Sequence, residues 1–375
     1  MVISMFLLLT LGSLFGRLMT DSKATVSVAY KLMDIFGKKN ALFVLLLVTT
    51  TLCYAGINAF VVIFSIYPVA VVLCKEAKIP KRLALSAILS GAAIISMALP
   101  GNAQNVQAML ADAFEVSIFG GAVWGVLYGV AVFIVTWIYL VTEHKRALAR
   151  GEDFVEGVSA FGKIEPSRDG LPNIGKSLLP LVGLIIAIFI TSKSLGGIGS
   201  VTFGLLIGIF LTYILFWKHF QTNRLKQLNE GLSSGFAPLI NAAAVTGYAV
   251  AIQALPVFQD IIQAIFAKNM DPVVVTFLLP ALIGGVTASS PAAGGFCVQI
   301  APQLLGLGID PGIALRFALI GSIVTVTMPH SGAIIAGNSL TGTTHKESYK
   351  DIFITAVVIP TIIAILMIVC YLFFA

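Results

Sequence analysis

Thr287, Ala288, Ser289, Ser290 and Pro291 interrupt the apolar segment 272–308, and Gly294 and Gly295 follow within a turn. A second apolar segment, 40–74, carries Thr49, Thr50 and Thr51 and then Gly56, Ile57 and Asn58. Hydroxyl and amide side chains bring hydrogen-bonding capacity into apolar surroundings without charge, and Gly and Pro stop helices and leave main-chain groups free. This suits the cradling of an anion, with helix N-termini and N–H groups turned toward a carboxylate. The candidate ligands are Ser289, Ser290, Gly294 and Gly295 in one segment and Thr50, Thr51 and Asn58 in the other. For each of them the alternative role is a small residue that lets helices approach closely.

A second set of candidates follows two apolar helices. Leu99-Pro100-Gly101-Asn102-Ala103-Gln104 ends one, offering Asn102 and Gln104, and Met328-Pro329-His330-Ser331-Gly332 ends the other, offering His330 and Ser331, with Asn338 beyond. Histidine titrates near neutral pH, so His330 is the candidate for proton coupling; capping the broken helix is its other reading. Arg316 lies early in a span, where it either snorkels outward or pairs with substrate charge. No Asp or Glu falls well inside a predicted span, whereas cation pumps usually carry such groups. There is no H-E-x-x-H motif, no paired intramembrane aspartates and no nucleophile–base pair, which argues against an enzyme.

Elements that could hold such residues are set by composition. Of 375 residues, 58% are hydrophobic and 11% charged, about half the charge of a soluble domain. Apolar runs of membrane-crossing length recur along the chain, at about 1–18, 83–99, 118–141, 177–192, 198–217, 236–252, 311–328 and 351–374. The interrupted segments 40–74 and 272–308 have arms too short to span, which predicts two re-entrant hairpins entering from opposite faces. The four cysteines lie in or beside apolar segments and form no C-x-x-C, so they read as packing residues with no metal set.

Weak internal similarity orders these elements. A-L-S-A-I-L-S-G from Ala84 matches A-L-R-F-A-L-I-G from Ala314, and the same offset of 230 pairs Phe6 with Phe236 and Ile35-Phe36 with Ile265-Phe266. The expected architecture is an all-α polytopic membrane protein of two inverted-topology repeats, each with a re-entrant hairpin and a broken helix. Residues 1–141 form the first repeat, 142–176 a linker loop and 177–375 the second. On this register the first repeat begins roughly 50 residues before Met1, so its two leading helices are expected to be missing. Amphipathic stretches at Val26, Tyr30, Met33 and Phe36 and at Ile261, Ile262, Ile265 and Phe266 are expected to lie along the surface and lead into the hairpins. Lys and Arg concentrate in 17–39, 75–82 and 218–235 and are absent from 100–117, which sets the basic face in the cytoplasm of a bacterial inner membrane.

With these residues in place, the chain resembles the gluconate permease family, the gluconate/proton symporters of the ion-transporter superfamily. L-G-S-L-F-G-R-L-M-T-D-S near the start, A-L-P-G-N-A-Q-N-V-Q at 98–107, and M-P-H-S-G-A-I-I with T-H-K-E-S-Y-K-D-I at 344–352 carry the resemblance. It implies proton-driven symport of a small organic acid anion and a longer N-terminus. Asn58 stands where gluconate carriers tend to have an acidic residue, and Leu99-Pro100-Gly101-Asn102 replaces a Pro-His-rich break. Those departures point toward hydroxybutyrate-like or other short carboxylates. Sodium coupling in the same fold and an anion channel are the alternatives. The expected partners are the carboxylate, a coupling proton or sodium ion and the lipid bilayer, with a homo-oligomer compatible; no cofactor, metal or nucleic acid is implied.

Overall fold

A computed structural model describes residues 2–37, 40–154, 170–220, 224–233 and 270–374, with six single positions between 240 and 264. The described residues are helical and contain no strand. In chain order the helices are α1 (Val2–Asp21), α2 (Ala24–Phe36), α3 (Ala41–Tyr54), α4 (Ala59–Ala77), α5 (Lys81–Ala98), α6 (Asn105–Ala113), α7 (Ala122–Ala149), α8 (Ile174–Thr191), α9 (Gly196–Leu215), α10 (Arg224–Ser233), α11 (Pro272–Thr287), α12 (Ser290–Gly306), α13 (Pro311–Val324), α14 (Gly332–Thr341) and α15 (His345–Phe373). A one-turn helix, Trp217–Phe220, follows α9. Apart from three single positions, the predicted crossing 236–252 lies outside the described residues, as do Ile261, Ile262, Ile265 and Phe266 of the second amphipathic stretch.

Start signals explain most of the boundaries of the second half. Asp271 and Asp310 each precede a proline and accept a hydrogen bond from the main chain of the first turn of α11 and α13. Proline at the first position is set up for a helix and needs no N–H partner. Thr344 and Glu347 form a reciprocal capping box on α15.

Among the described residues five helices, α5, α7, α8, α9 and α15, are long and apolar enough to cross a membrane. Burial separates their roles: 83% of the apolar window of α5 is buried against 33% in α7, α8 and α9. Thus α5 is the central helix, and the other three turn apolar faces outward, as lipid-facing helices do. The shorter apolar helices α3, α11 and α13 are first arms of the two hairpins and the first half of the second broken helix. α13 ends at Val324, four residues before the expected limit of 328.

The order hairpin, broken helix, long helix occurs twice: α3–α4, α5–break–α6, α7, and again α11–α12, α13–break–α14, α15. Contacts cross between the sets in a reciprocal way: α6 packs on α12, and α14 packs on α4. Two equivalent glycines show the same local design. A Cβ on Gly91 of α5 would strike the Thr49 hydroxyl and come 2.7 Å from the Leu46 carbonyl of α3. A Cβ on Gly321 of α13 would strike the Phe277 carbonyl of α11 and come 2.8 Å from Pro280 Cγ. In each set the broken helix lies directly on the backbone of the first hairpin arm, a closeness only glycine allows.

Two expectations change. Thr49, Thr50 and Thr51 do not interrupt α3: their hydroxyls donate to the carbonyls of Leu45, Leu46 and Leu47 at 2.8, 2.7 and 2.8 Å. Threonine that bonds back onto the preceding turn satisfies itself inside a helix, so the hairpin breaks only at residues 55–58. Nor does α2 lie loosely on the surface. Val28, Tyr30 and Met33 are buried, Phe36 is exposed, and α2 packs on α1, α3, α4 and α8.

Candidate functional site

The first hairpin tip is built by Gly56 at φ +88°, a conformation glycine adopts without strain. It rests on the break after α5. Ala103 N donates to Tyr54 O at 2.9 Å, Gln104 Nε2 to Cys53 O at 2.6 Å, and the Tyr54 hydroxyl to Pro100 O at 2.8 Å. The break therefore satisfies the last carbonyls of α3, which have no partner within their own helix. Asn102, fully buried, holds the break itself. Its Nδ2 donates to Met97 O and Leu99 O at 2.8 and 2.7 Å and also to Gln107 Oε1, and its Oδ1 accepts from Gln104 N at 3.0 Å. Asn58 and Gln104 line one cavity of about 30 Å³ with Ser13, Gly56 and Asn105. That volume holds one or two waters; a hydroxy acid is several times larger, so its entry requires tip and break to separate.

The second tip turns at Ala288, φ +48°, and Ser289 caps α12 by accepting from Ala292 N at 3.4 Å. It meets its own break as the first tip does. His330 Nε2 lies 3.1 Å from Val286 O, near the end of α11. A carbonyl only accepts, so Nε2 carries the hydrogen in this contact. Thr325 Oγ1 donates to Ala281 O at 2.6 Å, and His345 Nε2 braces the break at Pro329 O, 2.8 Å.

The two centres touch each other. Ser290 Oγ is 4.0 Å from Met97 Sδ, at the end of α5. Gly294 lies against α6, where an added Cβ would sit 2.6 Å from Val106 Cγ1; with Gly295 it is buried inside α12, so these two glycines allow packing and do not form the tip. Thr50 and Thr51 sit in the helical arm, Thr51 in its last turn with its carbonyl accepting from Ala55 N at 3.2 Å. Asn338 is buried in α14, its Oδ1 accepting from Thr343 Oγ1 at 2.9 Å and Ser348 Oγ at 2.7 Å; it ties α14 to α15. The sequence-predicted residues brought to tips and breaks are thus Asn58, Asn102, Gln104, Ser289, Ser290, His330 and Ser331.

Helix starts differ in their capping, and α2, α3, α5 and α7 begin without a side-chain bond at their N-cap positions. Asn173, Asp271, Ser289, Asp310 and Thr344 cap α8, α11, α12, α13 and α15 with their side chains. The helices after the breaks, α6 and α14, receive no bond from Gln104 or Ser331 at their own N-cap positions, although serine is well able to give one. These two half-helices keep positive dipole ends and N–H groups uncapped by those side chains.

Buried charged groups lie close to the first break and at the span ends. Arg316 is fully buried and does not snorkel: Nε donates to Gly120 O at 2.5 Å and Nη2 to Ile118 O. Ile118 O also accepts from Gly101 N at 3.3 Å and Gln107 Nε2 at 2.6 Å. One carbonyl thereby joins α13, the first break and α6. Buried carboxylates exist too, at span ends: Asp351 and Glu143 are 1% and 6% exposed and both pair with Arg82. Asp112 accepts from Gly197 N and Ile198 N, capping α9 from a distant part of the chain. No local motif announced that pairing.

These features define a multi-pass helical membrane protein with the architecture of a transporter. The chain is similar in fold to the YdaH transporter of Alcanivorax borkumensis, with a TM-score of 0.63 and 14% identity, over 98% of this chain and 85% of that one. In sequence it is 28% identical over 382 positions to the uncharacterized transporter YxjC of Bacillus subtilis, covering 92% of this chain and 81% of the relative. No family model matches the chain.

Proposed function

We propose that this chain is a secondary active transporter that carries a small organic acid anion (gluconate, hydroxybutyrate or a related short carboxylate) together with protons across the bacterial cytoplasmic membrane. The observation that carries this reading is the pair of half-helix N-termini, α6 and α14, left without side-chain caps beside the two hairpin tips. Main-chain N–H groups and positive dipole ends suit a carboxylate. Ser290, Asn58 and Gln104 add hydroxyl and amide groups, and His330 is the proton-coupling group. The likeness of A-L-P-G-N-A-Q-N-V-Q and M-P-H-S-G-A-I-I to the gluconate permease family, and two relatives named as transporters, support it. One proton per monoanion makes the step electroneutral; a further proton adds about 2.3 kcal/mol per 100 mV of membrane potential.

Uptake of labelled hydroxy acids into proteoliposomes tests this. An imposed acid-outside gradient drives saturable accumulation of a short carboxylate. Accumulation driven by a sodium gradient at clamped pH would replace the proton with sodium, and non-saturable flux without accumulation would indicate a channel. Ser290→Ala lowers uptake, chiefly by raising KM, and His330→Ala lowers uptake and flattens its pH dependence, both without loss of membrane insertion. Unaltered kinetics in both variants would remove these residues from the site.

A further inference from the structure

A cavity of about 410 Å³ lies between the start of α8 and the end of α9, far from either hairpin in the chain. Asn173, Lys176, Trp217, Lys218 and His219 are among its lining residues, and none of that lining is acidic. Lys176 and Lys218 have no ion-pair partner among the described residues. α8 starts and α9 ends here, so the cavity marks a membrane–water boundary, on the side that also carries Arg224 and Lys226. Trp217 packs edge-on against Tyr213 with ring centroids 5.1 Å apart, and Tyr213 stacks on Phe220 at 5.6 Å. Aromatic clusters of this kind sit at headgroup depth.

Deeper along the same two helices, Leu179, Val182 and Ile186 of α8 and Phe210 and Ile214 of α9 are exposed and apolar. The spacing of the α8 residues sets them on one face. A headgroup-sized basic cavity above an apolar track fits one kind of occupant. We infer that the structure binds an anionic phospholipid here, its phosphate held between Lys176 and Lys218 at the N-terminus of α8 and its acyl chains lying on α8 and α9. Two lysines, one histidine and a helix N-terminus select negative charge, and the track selects a lipid over a free phosphate. The site depends on the membrane fold and is independent of the transported substrate.

The test is native mass spectrometry of the purified full-length protein titrated with phosphatidylglycerol or phosphatidylcholine in one detergent. Phosphatidylglycerol binds in preference to phosphatidylcholine. The double variant Lys176→Gln, Lys218→Gln weakens phosphatidylglycerol binding roughly thirtyfold, following about 1 kcal/mol for each basic residue. Lys193→Gln, at the other end of α8, leaves binding unchanged, and Lys176→Arg with Lys218→Arg retains it, which separates charge from folding. Equal binding of the two lipids, or unchanged binding in the double glutamine variant, overturns the assignment. Displacement of phosphatidylglycerol by millimolar inorganic phosphate would also overturn it, marking a free-phosphate site.

Discussion

Arg316→Met is expected to abolish transport while leaving the protein able to insert. The guanidinium reaches from α13 to the loop between α6 and α7, where it donates to the carbonyls of Ile118 and Gly120. Its stem passes beside the end of α5: a Cβ on Gly125 would come 3.2 Å from Arg316 Cδ and 3.0 Å from Ala98 O. Among the described residues no carboxylate forms an ion pair with this charge. Main-chain carbonyls, with the negative end of the α5 dipole near by, compensate it instead. Methionine keeps much of the volume, removes the Arg316 donor from the Gly120 carbonyl and leaves the Ile118 carbonyl to Gly101 N and Gln107 Nε2; a buried carbonyl left without a donor costs about 1–3 kcal/mol. The same Ile118 carbonyl anchors Gly101 and Gln107, so the loss is felt at the first break. A tenfold fall in rate needs only about 1.4 kcal/mol. Lysine at 316 restores the charge but not the two-armed geometry, and is expected to give an intermediate rate. Wild-type transport by the methionine variant would show that the first break does not need this support.

The second large effect is at Arg82. It begins α5, where the helix dipole disfavours a cation, and three carboxylates offset this. Glu143 lies at 3.2 Å, Glu152 at 2.8 Å, and Asp351 is in direct contact. Asp351 is nearly inaccessible and also accepts from the Tyr139 hydroxyl at 2.7 Å. Arg82→Gln leaves this carboxylate buried and unpaired, a loss of about 3–5 kcal/mol. Asp351→Asn alone is also destabilising, but the double variant loses less than the sum, by about 0.5–3 kcal/mol of coupling. Unfolding in detergent measures all three, and strictly additive losses would contradict the pairing. The network adds a pH dependence. Burial pushes the Glu152 carboxyl up, but hydrogen bonds from Arg150 and Arg82 outweigh it and hold the group below its ordinary value. Its contribution is complete above the usual carboxylate range and is lost as pH falls through the lowered value.

These two arginines mark where the sequence stopped being readable. Gly56-Ile57-Asn58 and Ser289-Ser290-Pro291 announced turns because glycine, asparagine and a capping serine before proline have local conformational consequences. Gly91 and Gly321 stand at one sequence offset, and each admits a hairpin arm against its helix. Thr49–Thr51 misled, since a polar run in an apolar helix looks like a break until the hydroxyls are seen bonding backward. Arg316 and Arg82 depend on partners 198 and 269 residues away in sequence. Local periodicity carries no information about such separations, so Arg316 read as an arginine that snorkels or pairs with substrate charge, and nothing in the sequence announced the burial of Glu143 and Asp351.

On the proposed function, the two hairpin tips and the two breaks hold the transported anion. The most direct measurement is substrate protection of single cysteines at Asn58 and Ser290. Both native side chains are half-buried, and of the native cysteines Cys53, Cys74 and Cys297 are buried while Cys370 is exposed. In a Cys370→Ser background, Asn58→Cys and Ser290→Cys are each reacted with maleimide with and without a saturating transported carboxylate. Slower labelling at both positions in its presence, and none of that slowing with an uncharged analogue, is the predicted result. Uptake that continues while labelling at both positions is indifferent to the carboxylate would contradict the account.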